Sequence, residues 1–461
     1  MTLTAAHLVT GAATLLLATL LGLYSKRRVR SASDFAVGGR NTSAAVIAGT
    51  IVGTLVGGAS TIGTAQLAYQ YGFSAWWFTL GGGIACLLLG LLLAGPLRRS
   101  GASTGPGFLN EAYGPPTGLW ATLFSSAGIL LNLVGQILAT VALLTSLFSI
   151  PPLAAALVAV VVIIGYVVFG GVWSTGLVGT FKLGLLYLSM LGVGLLAYRL
   201  GGGWQGFTTA LPAYPWFSLF GRGVATDLAA GFSMIVGVMS TQTYLQAIFS
   251  GRSEQVSRRG AFLSAALIPP IGVAGILVGL MMRVSAPGIN PREALPLFVM
   301  QYLPGWFGGL VLATLFIATI GTGAGLALGV STMFTEDVYH QLIAPRATEQ
   351  QRLWVQRAAV VGFTALGLAF VSGNLNSLIL EWSFLSMGLR GATLFFPLLG
   401  AVFLRGRIAL WAGVWATALG PASAILWAIF GPKGIDPLYV GLGVSFGVLA
   451  VGYGQGVRSR E

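Results

Sequence analysis

Of 461 residues, 56% are hydrophobic and only 8% are charged, against about 25% charged in ordinary soluble domains. That balance excludes a soluble enzyme, a disordered chain and a nucleic-acid binder; the net charge of +13 comes from short basic clusters between apolar runs, not from one basic face. A lone Cys86 leaves no internal disulfide or cysteine metal site, and His7 and His340 lie too far apart to suggest a shared one.

A membrane-spanning helix needs about 20 apolar residues. Taken in chain order, the apolar runs predict thirteen spans, at 5–24, 44–70, 76–97, 119–147, 152–169, 176–198, 223–249, 261–282, 306–335, 353–371, 376–404, 408–430 and 437–453. No soluble domain fits between them. If the first connection, with Lys26, Arg27, Arg28, Arg30 and Arg40, is cytoplasmic, alternation places seventeen basic residues on the cytoplasmic side and five on the other. A missed span would scramble that bias, so the N-terminus is expected outside and the C-terminus inside. The first span lacks a basic leader and carries its charges after it, unlike a cleaved signal peptide.

The glycines, 68 in all, are scattered through the apolar runs. In span 44–70, Gly49, Gly53 and Gly57 recur at four-residue spacing and lead into Gly58-Ala59-Ser60-Thr61-Ile62-Gly63-Thr64-Ala65-Gln66. A small-residue stripe serves close helix packing. A glycine pair followed by polar residues at mid-membrane also suits a helix that unwinds, which survives only where the freed carbonyls line a cavity or hold a cation. Span 223–249 carries Gly237 and then Ser240-Thr241-Gln242-Thr243, and span 306–335 carries Ala318-Thr319-Ile320-Gly321-Thr322-Gly323-Ala324-Gly325. Polar groups at such depth usually face the bundle interior, so the three patches point to one midplane site.

With these residues the chain resembles the sodium/solute symporter family, which includes proline, pantothenate and sodium/glucose transporters. The likeness runs through Ser33-Asp34-Phe35-Ala36-Val37-Gly38-Gly39-Arg40, Ala68-Tyr69-Gln70-Tyr71-Gly72, Thr104-Gly105-Pro106-Gly107-Phe108-Leu109 with Tyr113-Gly114, Gly170-Gly171, Ala294-Leu295-Pro296 and Thr335-Glu336-Asp337-Val338-Tyr339. The resemblance implies an all-α membrane protein with a leucine-transporter-like fold. Two inverted five-helix repeats would occupy 44–198 and 223–404, with an extra helix at 5–24 and two more within 408–453. It also implies a sodium ion between core helices one and eight. Its ligands would be the carbonyls of Ala59 and Ile62 and, from helix eight, Ala318 and Thr322. A second hydroxyl belongs at Gly321, and its loss weakens the site. The resemblance further sets Gly179 where core helix five usually has Asp, and Lys182 where it has Gln. Some proton-coupled transporters of the same fold hold a core-helix-five lysine in the ion site. Lys182 could therefore reach the space opened by Gly321 and replace the cation. The competing expectation is that Lys182, near the start of its span, snorkels to the cytoplasmic interface.

Gln66 sits one helical turn beyond Ile62 on the same face; a Gln there contacts substrate in the family's sugar transporters, and a helix–helix hydrogen bond is the alternative. Ser240 and Gln242 are the other substrate candidates, or else an interhelical clamp. Arg390 is the deepest charge in an uninterrupted apolar run, at a cost of at least ~2.5 kcal/mol on insertion scales, and it must have a partner. Glu381 is about 13 Å away along a helix, too far to be that partner. A structural or gating role is favoured for Arg390 over binding an anionic solute. Asp227 either faces solvent at a mouth or pairs locally with Arg222, Trp76 and Trp77 read as interfacial anchors, and Pro269-Pro270 as a kink.

The expected function is cation-coupled symport of a small organic solute by alternating access in the inner (plasma) membrane, with sodium as the coupling ion. The alternatives are a proton-coupled or sodium-independent transporter with Lys182 in the cation's place, and, from other classes, a solute sensor or a channel. No organic cofactor, nucleic acid or obligate protein partner is implied, only solute and lipid. With no paired carboxylates or nucleophile–base pair in the sequence, an enzyme is the least expected reading.

Overall fold

The structure, a computed structural model, describes residues 3–25, 40–102, 104–432 and 434–458. The motif residues Ser33–Gly39 and the basic residues Lys26, Arg27, Arg28, Arg30, Lys433 and Arg460 lie outside the described residues. Among those described there is no strand, and the one isolated β-bridge joins Thr42 to Gly251.

The chain forms α1 (Ala5–Ser25), α2 (Ala44–Leu55), a π-helical turn (Ala59–Gly63) continuing into α3 (Thr64–Tyr71), α4 (Trp77–Leu88), α5 (Ala94–Ser100), α6 (Gly105–Tyr113), α7 (Pro115–Phe148) and α8 (Pro152–Leu200). After α9 (Gly203–Ala210) come α10 (Val224–Met239), α11 (Gln242–Phe249), α12 (Glu254–Ser285), α13 (Ala294–Tyr302) and α14 (Gly305–Met333). The last four are α15 (Glu349–Ser372), α16 (Ile379–Phe403), α17 (Leu410–Phe430) and α18 (Pro437–Arg458). Their boundaries follow local chemistry. Ser43, Thr104, Ser253 and Thr348 cap the starts of α2, α6, α12 and α15 with their hydroxyls. Two prolines open α7, where a missing N–H costs nothing.

Eight of the described helices are long and apolar enough to cross a membrane, or nine if the bent pair α10–α11 counts as one span; four shorter apolar helices stand beside them. The chain is a multi-pass membrane protein, but this count does not reach the expected thirteen. Part of the difference is physical. The run at 44–70 breaks into two pieces, and the runs at 152–169 and 176–198 lie on one continuous helical stretch of 49 residues. Gly170-Gly171 does not end that helix in the backbone.

Three packing relations position the interior. The helix α8 lies against α2 and α14, α7 lies against α14 and α16, and α16 lies against α10. Glycines set two of these approaches. A Cβ on Gly53 of α2 would fall 3.3 Å from the Cα of Gly179 on α8, and one on Gly237 of α10 would fall 2.6 Å from the Cα of Met387 on α16. The prolines at 269 and 270 are carried inside α12. The Pro269 carbonyl accepts the Trp76 indole N–H at 3.1 Å and Leu219 accepts that of Trp77 at 2.8 Å, so both rings tie elements together.

Candidate functional site

The break between α2 and the π turn is centred on Val56, whose φ of −87° and ψ of 90° leave the helical region. Polar groups at the break find partners nearby, as a break inside a membrane requires. Gln136 of α7 accepts the Gly58 N–H at 2.9 Å. The Gly57 carbonyl accepts Ser60 Oγ at 3.1 Å and Thr61 Oγ1 at 2.9 Å. The Gly53 carbonyl, in the last turn of α2, accepts Lys182 Nζ at 2.5 Å. Glycine is required at the break itself, because a Cβ on Gly57 would lie 2.4 Å from Thr322 Oγ1 and 2.7 Å from Gln136 Oε1.

Lys182 joins three helices. From α8 its ammonium donates to Gly53 of α2, to the Ala318 carbonyl at 3.1 Å and to Thr322 Oγ1 at 2.9 Å, the last two on α14. It is 2% exposed. The snorkelling expectation is therefore corrected: α8 runs unbroken through residue 182, which puts the lysine in mid-helix, and Gly179 one turn earlier lets α8 come close enough to α2 for the side chain to reach inward. The position at Gly321 is open toward it, with a built Cβ 3.9 Å from Nζ. An ammonium at the C-terminal end of α2 also faces the negative end of that half-helix, where a cation is favoured.

Of the four residues expected to ligate sodium, Ala318 and Thr322 come together at this point. The helix-one oxygen beside them belongs to Gly53, not to Ala59 or Ile62, which lie beyond the break in the π turn. The Ala59 carbonyl instead accepts Thr64 Oγ1 at 3.3 Å. Gln66 Oε1 accepts the Ile379 N–H at 3.2 Å, capping the start of α16, which is the helix–helix role. Gln242 Oε1 similarly accepts the Gly105 N–H at 2.9 Å at the start of α6. Ser240 is fully buried at the second break, between α10 and α11, where the two helices bend by 41°. Arg390, also fully buried, reaches that break by donating to Thr241 Oγ1 at 2.8 Å. Asp227 pairs locally with Arg222 at 2.7 Å.

The amides of α7 join the first break to α16 without being singled out by the sequence pattern. Gln136 Nε2 donates to Asn132 Oδ1 at 3.4 Å, which also accepts Ser383 Oγ of α16 at 3.3 Å, so a polar chain runs from the first break across α7 to α16. Two amides spaced i, i+4 on one face of the helix are the available signal.

The first break thus gathers an ammonium, two carbonyls and a hydroxyl at one buried point. A search against family models matches residues 35–413 to the sodium:solute symporter family. Among curated proteins, the chain is 22% identical to an uncharacterized symporter, YwcA, of Bacillus subtilis, over 91% of this chain and 85% of that one. It is 24% identical to the high affinity choline transporter 1 of Homo sapiens, over 85% and 71% respectively. Among solved structures, a Na+-coupled sialic acid symporter in a substrate-bound outward-open state superposes with a TM-score of 0.80 at 18% identity, covering 98% of both chains. The nucleobase-cation-symport transporter Mhp1 does so at 0.60 and 12%, covering 92% and 94%. The fold is therefore that of the leucine-transporter-like carriers.

Proposed function

The chain belongs to the sodium:solute symporter family and is a cation-coupled symporter, and from that premise we propose that its coupling cation is a proton carried by Lys182. The observation that carries this reading is the position of Nζ, between the Gly53 carbonyl, the Ala318 carbonyl and Thr322 Oγ1. Sodium does not fit the same place. Two unit charges 4 Å apart repel by about 4 kcal/mol at an effective dielectric constant of 20, and the hydroxyl that would help hold the ion is missing at Gly321.

The coupling then works through differential contacts. Protonated, Lys182 is a charge-assisted donor to three acceptors, each worth about 1.5–3 kcal/mol, and it fastens α2 to α14. Neutral, it loses the charge that made those bonds strong, and α2 is freer to move. A proton shifts the gate by the difference between those two states and by nothing else. If the basic connections mark the cytoplasm, α2 is the cytoplasmic half of its broken helix. Releasing the proton inward then opens the inner gate and lets the solute follow into the cell.

Sodium coupling at another place is the second reading, favoured by the family. Uptake into proteoliposomes separates the two. With potassium replacing all sodium, an inward pH gradient is expected to drive accumulation at an undiminished rate. Full dependence on sodium, with no response to the pH gradient, would reject the proton.

A further inference from the structure

The break between α10 and α11 holds a charge that the coupling scheme leaves unused. The guanidinium of Arg390 donates from Nε to the Ser386 carbonyl at 3.2 Å, from Nη1 to Thr241 Oγ1 at 2.8 Å, and from Nη2 to Ser386 Oγ at 2.7 Å and Met387 Sδ at 3.2 Å. None of the ion pairs among the described residues includes it. A thioether is a weak acceptor, and a planar guanidinium is shaped for a two-oxygen partner.

The helix α11 begins at Gln242, so its positive N-terminal end opens at the break. Three buried hydroxyls there have no hydrogen-bond partner: Ser240 Oγ in the break, and Thr243 Oγ1 and Tyr244 Oη in the first turn of α11. Their residues are 0%, 8% and 1% exposed. A cation beside a helix N-terminus is unfavourable unless an anion sits between them.

The two breaks also correspond. Ser386, which holds Arg390, donates to the carbonyl of Gly128 on α7, and Lys182 donates to that of Ala318 on α14. Each of these carbonyls is thirteen residues past the first residue of its helix. The cation at the first break faces the negative end of α2 and is satisfied; the one at the second faces the positive end of α11.

We propose that the second break is a carboxylate-binding site formed by Arg390, the hydroxyls of Ser240, Thr243 and Tyr244, and the N-terminus of α11, and that the transported solute is an organic anion. The proposal rests on the reading of the chain as a symporter and not on the identity of its coupling ion. It is therefore tested by equilibrium binding without any gradient. The purified full chain, in sodium-free potassium buffer at fixed pH, is melted with propionate, lactate, benzoate, choline and glucose. At least one carboxylate is expected to raise Tm saturably, while choline and glucose do not. Arg390→Gln should weaken that binding roughly tenfold or more, the loss expected for a hydrogen bond to a charged group. Because that variant removes a buried charge and can misfold, Ser240→Ala provides the second arm. Its hydroxyl has no partner to lose, so the ligand-free Tm should hold while carboxylate binding weakens roughly twofold to tenfold. Stabilisation by choline or glucose alone, by no member of the panel, or by a carboxylate that binds both variants as tightly as the parent would overturn the proposal. Carboxylate binding that survives in a protein whose uptake requires sodium would leave this site standing and remove only the proton.

Discussion

The double substitution Lys182→Gln with Gly321→Ser is expected to turn a sodium-indifferent protein into one that sodium stabilises. Removing the ammonium vacates a position faced by the Gly53 carbonyl, the Ala318 carbonyl and Thr322 Oγ1. A serine at 321 starts from a Cβ 3.9 Å from the old Nζ and can turn a hydroxyl toward the same point. Hard oxygen donors then surround a cavity that a hard monovalent cation can fill. Lys182→Gln alone leaves some of these acceptors without a donor, at about 1–3 kcal/mol each, so the single variant should melt below the parent. In the double variant sodium restores part of that loss; at a hundred times its dissociation constant a ligand contributes about 2.7 kcal/mol. The check is melting in sodium against potassium chloride for parent, single and double variants. A parent already stabilised by sodium, or a double variant blind to it, would contradict the assignment of Lys182.

Gly57→Ala is expected to abolish transport, while Gly325→Ala leaves it nearly intact, although both glycines belong to four-residue stripes of the same appearance in sequence. The added methyl at 57 meets Thr322 Oγ1 at 2.4 Å, Thr322 Cβ at 2.7 Å and Gln136 Oε1 at 2.7 Å. It must push apart the hydroxyl that Lys182 binds and the amide that accepts the Gly58 N–H. Overpacking of this kind typically costs about 1–3 kcal/mol, and here it falls on both supports of the break. The methyl at 325 meets only the Thr54 side chain, Cγ2 at 3.4 Å and Oγ1 at 3.6 Å, both ordinary contacts. Melting temperature and solute uptake of the two variants, measured at matched membrane expression, decide the matter. Equal behaviour would show that the break does not depend on that close approach.

The contrast marks how far the sequence could be read. Apolar run lengths were enough for a helical membrane protein, because the bilayer thickness dictates them. The polar patch after Gly57-Gly58 marked the first break, since such residues are costly in lipid. The like patch at Ala318–Gly325 instead stays inside the unbroken α14, and the patch at Ser240–Thr243, read only as facing the bundle interior, turns out to hold the second break. Which carbonyl faces inward was not legible. The π turn at Ala59–Gly63 changes the helical register, and the oxygen that meets α14 through Lys182 is Gly53's, six residues before Ala59. The depth of Lys182 is hidden in the sequence for a related reason. The apolar run that restarts at 176 looked like the beginning of a helix, whereas the backbone is helical from Pro152 onward and residue 182 lies far from an end. Gln66 and Gln242 were legible as buried amides in need of a partner, but the backbone groups they cap, at Ile379 and Gly105, are distant in the chain. Asn132 and Gln136 form a single i, i+4 pair, too short a pattern to stand out from the sequence around it.

The proton on Lys182 is tested most directly by watching the proton itself. Proteoliposomes loaded with a pH-sensitive dye, in sodium-free medium, would be given the stabilising solute outside. The lumen is expected to acidify as solute enters, and Lys182→Met vesicles should show only the slow drift of protein-free ones. Solute accumulation that needs sodium and leaves the lumenal pH unchanged, or acidification that persists in Lys182→Met, would contradict the account.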